Sequence, residues 1–467
     1  MKKVLLALIG IILVALVVMP FVAGHKTQQT LESWVAQMNE MGSYDFSWEE
    51  YQKGWLGTEA VLKVSLELPA GLDGEVTELN EWTIPLQLSL HHGPILWRDG
   101  LKPGWFSGEF YLSGTHQDWV DQNLSVEGDG RFFVSKVVMD LAGNATIRDH
   151  SLPFKVSKDG SQFELSGYQG EGTIKRDGLL DYSGVLSSMT VTGGESNLQM
   201  ENMKFGMNSD FGDKVGRYAI PGSAKFSLAS MNLATAEGKA VLMRDGNFSS
   251  DLVFNAEKTT GNMRMVMAFS EMQLFEDKVE DAKFDFSFNN LSLSFLNKYM
   301  ELVEQVVDSG GETNPMLAMQ MMGLVSSDLL PAGPQINIHQ LGFKTPEGIL
   351  DFNGSLAVSP EAAKAMSNPM AILSHVTVDA ALNADKPLVF RLVRQNVLKD
   401  LNKTQFEGGN QMTEDEKQSL ADNQTQMQID MLTIQGMLVD KGEKYQTLFE
   451  FKDGKAVLNG QPLPLPF

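Results

Sequence analysis

The strongest constraint on this chain is a period of two. Trp82, Ile84, Leu86, Leu88 and Leu90 alternate without a break against Thr83, Pro85, Gln87 and Ser89. Ala60, Leu62, Val64, Leu66 and Leu68 do the same, as do Met263, Met265, Met267 and Phe269. Phe284, Phe286 and Phe288 stand against Lys283, Asp285 and Ser287. Successive strand residues point to opposite faces, so the pattern predicts sheets that are apolar on one side and wet on the other. Parallel strands covered by helices would read as continuous apolar runs instead. The pairs Asp99-Gly100, Asp129-Gly130, Asp159-Gly160, Asp177-Gly178 and Asp245-Gly246 are turn signals. Strand after strand is expected to about residue 290, as a long antiparallel meander.

The N-terminus adds a second constraint. Met1-Lys2-Lys3 precedes an uncharged run from Val4 to Gly24. About 20 residues at 1.5 Å rise cover the hydrocarbon thickness of a bilayer. A cleaved signal peptide has an apolar region of about 7–15 residues, so the length favours an uncleaved anchor. Lys2 and Lys3 then stay in the cytoplasm and the remainder lies across the membrane, in the periplasm of a diderm bacterium. No later segment is long enough to span, so one pass is expected.

Four segments follow: a transmembrane anchor at 1–24, an antiparallel β-rich periplasmic region at 25–290, a helical segment at 291–330, and a C-terminal β region with helices and a closing meander at 331–467. Leu31, Trp34, Val35 and Met38 suggest a helix within 25–50. Leu296, Met300, Val303 and Val307 predict a helix ending near Gly310-Gly311, and a second helix runs from Pro315 to Val325. Strands resume at Ile336, Leu350 and Val376, and another helix covers about Pro387 to Leu401. Residues 403–425 are very polar and read as a mobile insertion or a solvated helix. Met427, Ile429 and Met431 alternate with Gln428 and Asp430 and read as a strand. A further strand from Tyr445 to Phe451 and the turns Asp453-Gly454 and Asn459-Gly460 complete a three-stranded meander.

Motifs for chemistry are missing. The chain has no cysteine, which excludes disulfides, thiolate metal sites and cysteine nucleophiles. The histidines His25, His91, His92, His116, His150, His339 and His375 form no HExxH pair. His91 and His92 are adjacent on a strand and point apart. There is no phosphate loop, no dinucleotide fingerprint and no G-x-S-x-G elbow; Gly194-Glu195-Ser196 continues into Asn197-Leu198. Lys plus Arg total 37 against 59 Asp plus Glu, a net charge of -22 that repels nucleic acid. No catalytic, cofactor-binding or metal residue is expected, and no cofactor.

Methionine and phenylalanine each number 26. Flexible, polarizable methionines suit surfaces that adapt to varied apolar ligands. Met263, Met265, Met267, Phe269, Phe284, Phe286 and Phe288 therefore define a candidate apolar groove. A packed core that uses methionine is the other reading.

Several short elements in order carry a family resemblance. Tyr51-Gln52-Lys53-Gly54-Trp55 follows the anchor, then His92-Gly93-Pro94, Gly333-Pro334-Gln335-Ile336, Lys344-Thr345-Pro346-Glu347-Gly348, and Phe451-Lys452-Asp453-Gly454-Lys455. With these the chain resembles the YdgA-like family of bacterial inner-membrane-anchored envelope proteins, built around a domain of unknown function. By fold-level analogy alone it is also similar to the AsmA-like envelope proteins, whose long β-grooves are associated with lipid carriage. The motif residues Tyr51, Gly54, Trp55, His92, Gly93, Pro94, Asp453 and Gly454 read as structural: glycines for turns or bulges, Pro94 for an extended exit, Trp55 packed at an edge.

The expected fold is mainly β with some α: an N-terminal transmembrane helix and an elongated, curved, groove-like antiparallel β-sheet with packing helices. The expected function is a non-enzymatic, membrane-anchored envelope protein that binds or shields a lipid or another apolar ligand in a β groove. The alternatives are a structural or interaction scaffold and, third, an envelope hydrolase. The expected partners are the membrane, through the N-terminal helix, an apolar ligand, and a second copy of the chain as a homo-oligomer.

Overall fold

The computed structural model describes residues 2–39, 45–67, 81–97, 100–112, 125–126, 131–158, 161–193, 196–235, 240–274, 277–308, 315–365, 368–408 and 413–464. The chain is mainly β, with every strand pairing antiparallel among the described residues. It divides into two compact units, Met1–Gly238 with Asn297–Leu317, and Lys239–Leu296 with Ala318–Phe467.

In the first unit the helix Lys2–Asn39 carries the uncharged run at its start. Its side chains are described from Val18 onward, and among the residues so described no helix is long and apolar enough to cross a membrane. Ala23, Thr27 and Leu31 recur every four residues and are all buried, which places one stripe of the helix inward. Thr27 satisfies its hydroxyl by donating to the Ala23 carbonyl at 2.7 Å. Leu31 packs with Ala60, Leu88, Leu90, Phe106, Val137, Met139 and Ala145, so the alternating strand faces here do close into a core.

The helix ends at Asn39, whose side chain bonds the backbone of Phe46 in both directions at 2.8 and 2.7 Å. The helix expected within 25–50 is therefore too long at its C-terminal end. Asp45–Lys53 is a strand, because Phe46 and Trp48 alternate inward against exposed neighbours. From it the meander runs through Gly57–Glu67, Glu81–His92, Phe106–Leu112, Phe133–Met139, Ala145–Ser151, Tyr168–Ile174, Leu179–Gly193, Ser196–Asp210 and Gly222–Thr235. Asp177-Gly178 makes the expected turn, with Gly178 donating to the Lys175 carbonyl at 2.9 Å.

In the second unit the sheet runs Ala240–Phe254, Thr260–Leu274, Asp277–Ser292, Gln335–Thr345, Gly348–Val358, Val376–Asp385, Lys444–Lys452, Lys455–Leu458 and Gln461–Leu463. Asp453-Gly454 and Asn459-Gly460 are two-residue hairpin turns with positive φ at both positions (50° and 72°, 50° and 79°), the geometry these residue pairs favour. Asp245-Gly246, expected to be a turn, lies inside the strand Ala240–Phe254. Asp245 takes φ 48° there and its carboxylate accepts from the Ser270 hydroxyl at 2.7 Å. The pairing keeps one register on both sides, from Arg244↔Glu271 to Asn247↔Ala268. Aspartate tolerates the left-handed conformation, so the pair sits within the strand without ending it.

Helices span Leu293–Asp308 and Pro315–Leu324, as expected. Asp99, 129–130, 159–160, Gly310-Gly311, Leu68 and His116 lie outside the described residues. The described residues of the polar stretch from 403 fall in the helices Lys386–Gly408 and Glu414–Ile434 and in the cap residue Thr413. The second opens with a capping box, Thr413 with Glu416, which satisfies backbone donors at both positions. Met427, Ile429 and Met431 are helical, not a strand. Ile429 is buried together with Ala421 and Thr425 at four-residue steps, while Met427 and Met431 are exposed. The closing meander thus opens with the short strand Val439–Asp440, which pairs with Lys444–Lys452, rather than near Met427.

Candidate functional site

The candidate groove residues meet across the strands of the second unit. Met263 pairs with Phe288, Met265 with Phe286, Met267 with Phe284, and Phe269 with Ala282. Directly paired residues share a face, and the pairing continues outward as three apolar rows. One runs Leu252, Met263, Phe288, Ile336, Leu356, Val378, Phe451, Ala456. The next runs Ser250, Met265, Phe286, Ile338, Gly354, Ala380, Phe449, Leu458, and the third Phe248, Met267, Phe284, Leu341, Phe352, Leu382. Period-two reading assigns a face within each strand; it cannot join the rows, because register is set by pairing.

This face is not a sealed core. Met267 is 40% exposed, and Ile336, Leu341 and Leu356 are each 38% exposed. Phe284, Phe286 and Phe288 are only partly buried, with the Phe284 and Phe286 rings 5.1 Å apart. The opposite face reverses the usual order. Asp285 and Ser287, its polar residues on the same strand, are buried. Arg264 clamps the Asp285 carboxylate, Lys283 approaches it at 3.4 Å, and Ser287 shares a 3.0 Å hydrogen bond with His339. The Arg264 hydrogen bonds hold the Asp285 carboxyl below the usual carboxylate range, against the opposing effect of burial. A polar ladder crosses this side in strict register: Asp251, Arg264, Ser287, Asn337, Ser355, Asp379, Glu450. Polar side chains, with Arg264–Asp285 and Ser287–His339 paired among them, thus line one side, and the other offers a broad apolar strip to solvent.

The family-motif residues separate into two groups. Asp453 and Gly454 form a hairpin turn of the second unit. Tyr51, Gly54, Trp55, His92, Gly93 and Pro94 gather in the first unit where the N-terminal helix docks. Gly54 N–H donates to the Gly57 carbonyl at 2.8 Å and closes the hairpin. His92 N–H donates to the Leu56 carbonyl at 2.9 Å, and the ring shares a 2.9 Å hydrogen bond with the Thr58 hydroxyl. A Cβ on helix residue Gly24 would lie 2.7 Å from the His92 ring, and one on Gly93 would lie 1.7 Å from the Gly104 carbonyl oxygen. Glycine is needed at both positions for this approach. Burial pushes the His92 imidazole down to about 4, so it is neutral at physiological pH. Trp55, expected to be packed, is 51% exposed. The Gly93–Pro94 peptide is cis, and the short strand Ile95–Leu96 follows it.

A polar trio escaped the sequence reading. Tyr182 donates to the Asp149 carboxylate, and the Tyr182 and Tyr168 hydroxyls share a 2.5 Å hydrogen bond. Both rings stack on Phe205, with centroids 5.7 Å away. Burial and the neighbouring carboxylate push the Tyr182 phenol upward, so it stays protonated. Gly170 and Gly184 leave the space the hydroxyls fill. The trio comes from three strands, and no local spacing announces it.

Among the described residues no group of three or more histidine, aspartate or glutamate side chains is placed to hold a metal. The family profile of a bacterial protein of unknown function (DUF945) matches residues 1–466, and the chain belongs to that family. Comparison with curated proteins and with solved structures returned no match.

Proposed function

We propose that this chain is a non-enzymatic envelope protein that shelters an apolar ligand, such as a lipid acyl chain, on the open apolar face of its second unit. The observation that carries the reading is the partial exposure of Met267 and Leu341 in one row and of Ile336 and Leu356 in another, across neighbouring strands. Exposed contiguous apolar surface is costly to leave in water and marks a site that something covers. Methionines and phenylalanines adapt to flexible chains and supply no reactive group.

In this reading the chain is a YdgA-like protein held in the bacterial inner membrane by one pass, with its body in the periplasm. The uncharged run Val4–Gly24 behind Lys2 and Lys3 supports the anchor and its orientation. The test is native mass spectrometry of the full chain after gentle detergent extraction. Co-purified lipid of defined mass is the expected result; a clean apo mass overturns the ligand reading.

A scaffold role is the second reading, favoured by a different observation. Met427, Met431, Ile434 and Met437 are exposed at the end of the helix Glu414–Ile434, with Ile434 at 86%. A stable protein partner in the same spectra, with no lipid, would favour it.

A further inference from the structure

We propose that a cavity in the first unit binds a phosphate-bearing anion. It measures about 450 Å³ and lies between helix residues Lys26–Gln37 and the turns around Gly143, Arg176 and Gly212, a volume typical of small-ligand sites. Lys26, Lys175 and Arg176 line it, and among the described residues none of the three takes part in an ion pair. Among the described residues of the wall Asp177 is the one carboxylate, and it accepts from the Leu179 N–H at 3.3 Å.

Such a concentration of positive charge is out of keeping with the rest of the chain. At a net charge of -22 the protein repels anions as a whole, so three cations with no ion-pair partner among the described residues form a local attractive focus around one cavity. The helix contributes hydroxyls and amides from the same side: Thr30, Ser33 and Gln37 follow Lys26 at four-, three- and four-residue steps. An arginine fork with two lysines and hydroxyl donors is the chemistry that recognises a phosphoryl group.

The cavity is also rigidly built. Trp34 meets Phe106 edge-on at 6.3 Å, and Trp105 Nε1 donates to the Leu141 carbonyl at 3.1 Å. A Cβ on Gly178, which has φ 99°, would lie 2.5 Å from the Gly212 nitrogen, so the two turns that form the far wall touch.

The anion has two sources, free phosphate or a phospholipid headgroup. Lys26 follows Gly24 by two residues, about 3 Å along the helix. The headgroup source therefore rests on the anchor reading, and the free-phosphate source does not.

The test is calorimetric titration of the full chain in uncharged detergent with two probes, inorganic phosphate and monomeric short-chain phosphatidylglycerol. At least one should bind saturably, more weakly as salt is raised. The exposed double variant Lys175→Ala, Arg176→Ala should keep the wild-type far-ultraviolet dichroism and weaken binding by about tenfold or more. Binding of both probes assigns a general phosphate site, binding of the lipid alone a headgroup site, and binding of phosphate alone a soluble anion. Absence of binding with both probes, or equal binding by the variant, overturns the proposal. Failure of the acyl-chain reading has a separate readout, the lipid mass in native spectra of the wild type.

Discussion

Arg264 grips Asp285 through two parallel hydrogen bonds, Nε to Oδ1 at 2.9 Å and Nη2 to Oδ2 at 2.8 Å. The arginine side chain is 55% exposed and the aspartate only 4%, so the pair lids a buried carboxylate. A carboxyl held below its ordinary value gives stability that is fully present above the unfolded pKa of about 3.9 and is lost as pH falls through the lower folded value. Asp285→Asn should therefore lower the urea midpoint at pH 7 and flatten the loss of stability between pH 5 and 3. An unchanged acid limb would show that the pair contributes nothing to the pH dependence.

How far the sequence carries can be read from particular residues. Met263, Met265 and Met267 and their phenylalanine partners were legible, because alternation in each strand declares a face. Their continuation to Ile336, Leu356 and Val378 was not, since nothing local states which strand pairs with which. Met427, Ile429 and Met431 misled because two-residue alternation over five positions is also part of a four-residue step. The buried partners that reveal the helix, Ala421 and Thr425, are small or polar and add no hydrophobic signal. Asp149, Tyr168 and Tyr182 lie on separate strands, and only the fold makes them one cluster.

The apolar strip predicts an unusual tolerance to charge. Met265→Glu with Met267→Glu should leave the thermal midpoint within a few degrees of wild type, a cost of about 1 kcal/mol or less, because Met267 already faces water. Lipid co-purification should fall sharply. The control is Leu88→Ala in the first unit, where a fully buried side chain should cost about 2–5 kcal/mol. Unfolding of the double variant would make the strip a core and end the groove reading.

The tyrosine trio predicts a steric requirement at Gly184. A Cβ there would lie 2.3 Å from the Tyr168 hydroxyl and 2.4 Å from the Phe205 ring. Gly184→Ala should cost about 1–3 kcal/mol through this overpacking, and Tyr168→Phe in the same chain should restore part of the loss. Chemical denaturation of the two variants measures both. No recovery would mean that the clash is with Phe205 alone.

His92 sets a pH dependence for the docking of the N-terminal helix. The folded imidazole titrates near 4 because it is buried, against about 6.5 in the unfolded chain. Below 6.5 the unfolded chain takes up a proton that the folded one refuses, so stability is complete above 6.5 and declines as pH falls toward 4. At pH 5 the loss is about 2 kcal/mol. His92→Gln, which can keep a hydrogen bond to Thr58, should remove that decline while remaining folded. Gly24→Ala, which pushes a methyl group against the ring, should loosen the helix at every pH. Hydrogen exchange along residues 23–31 separates the two: protection that falls with pH only when His92 is present is the expected result, and protection that ignores pH in the wild type would remove His92 from the docking of this helix.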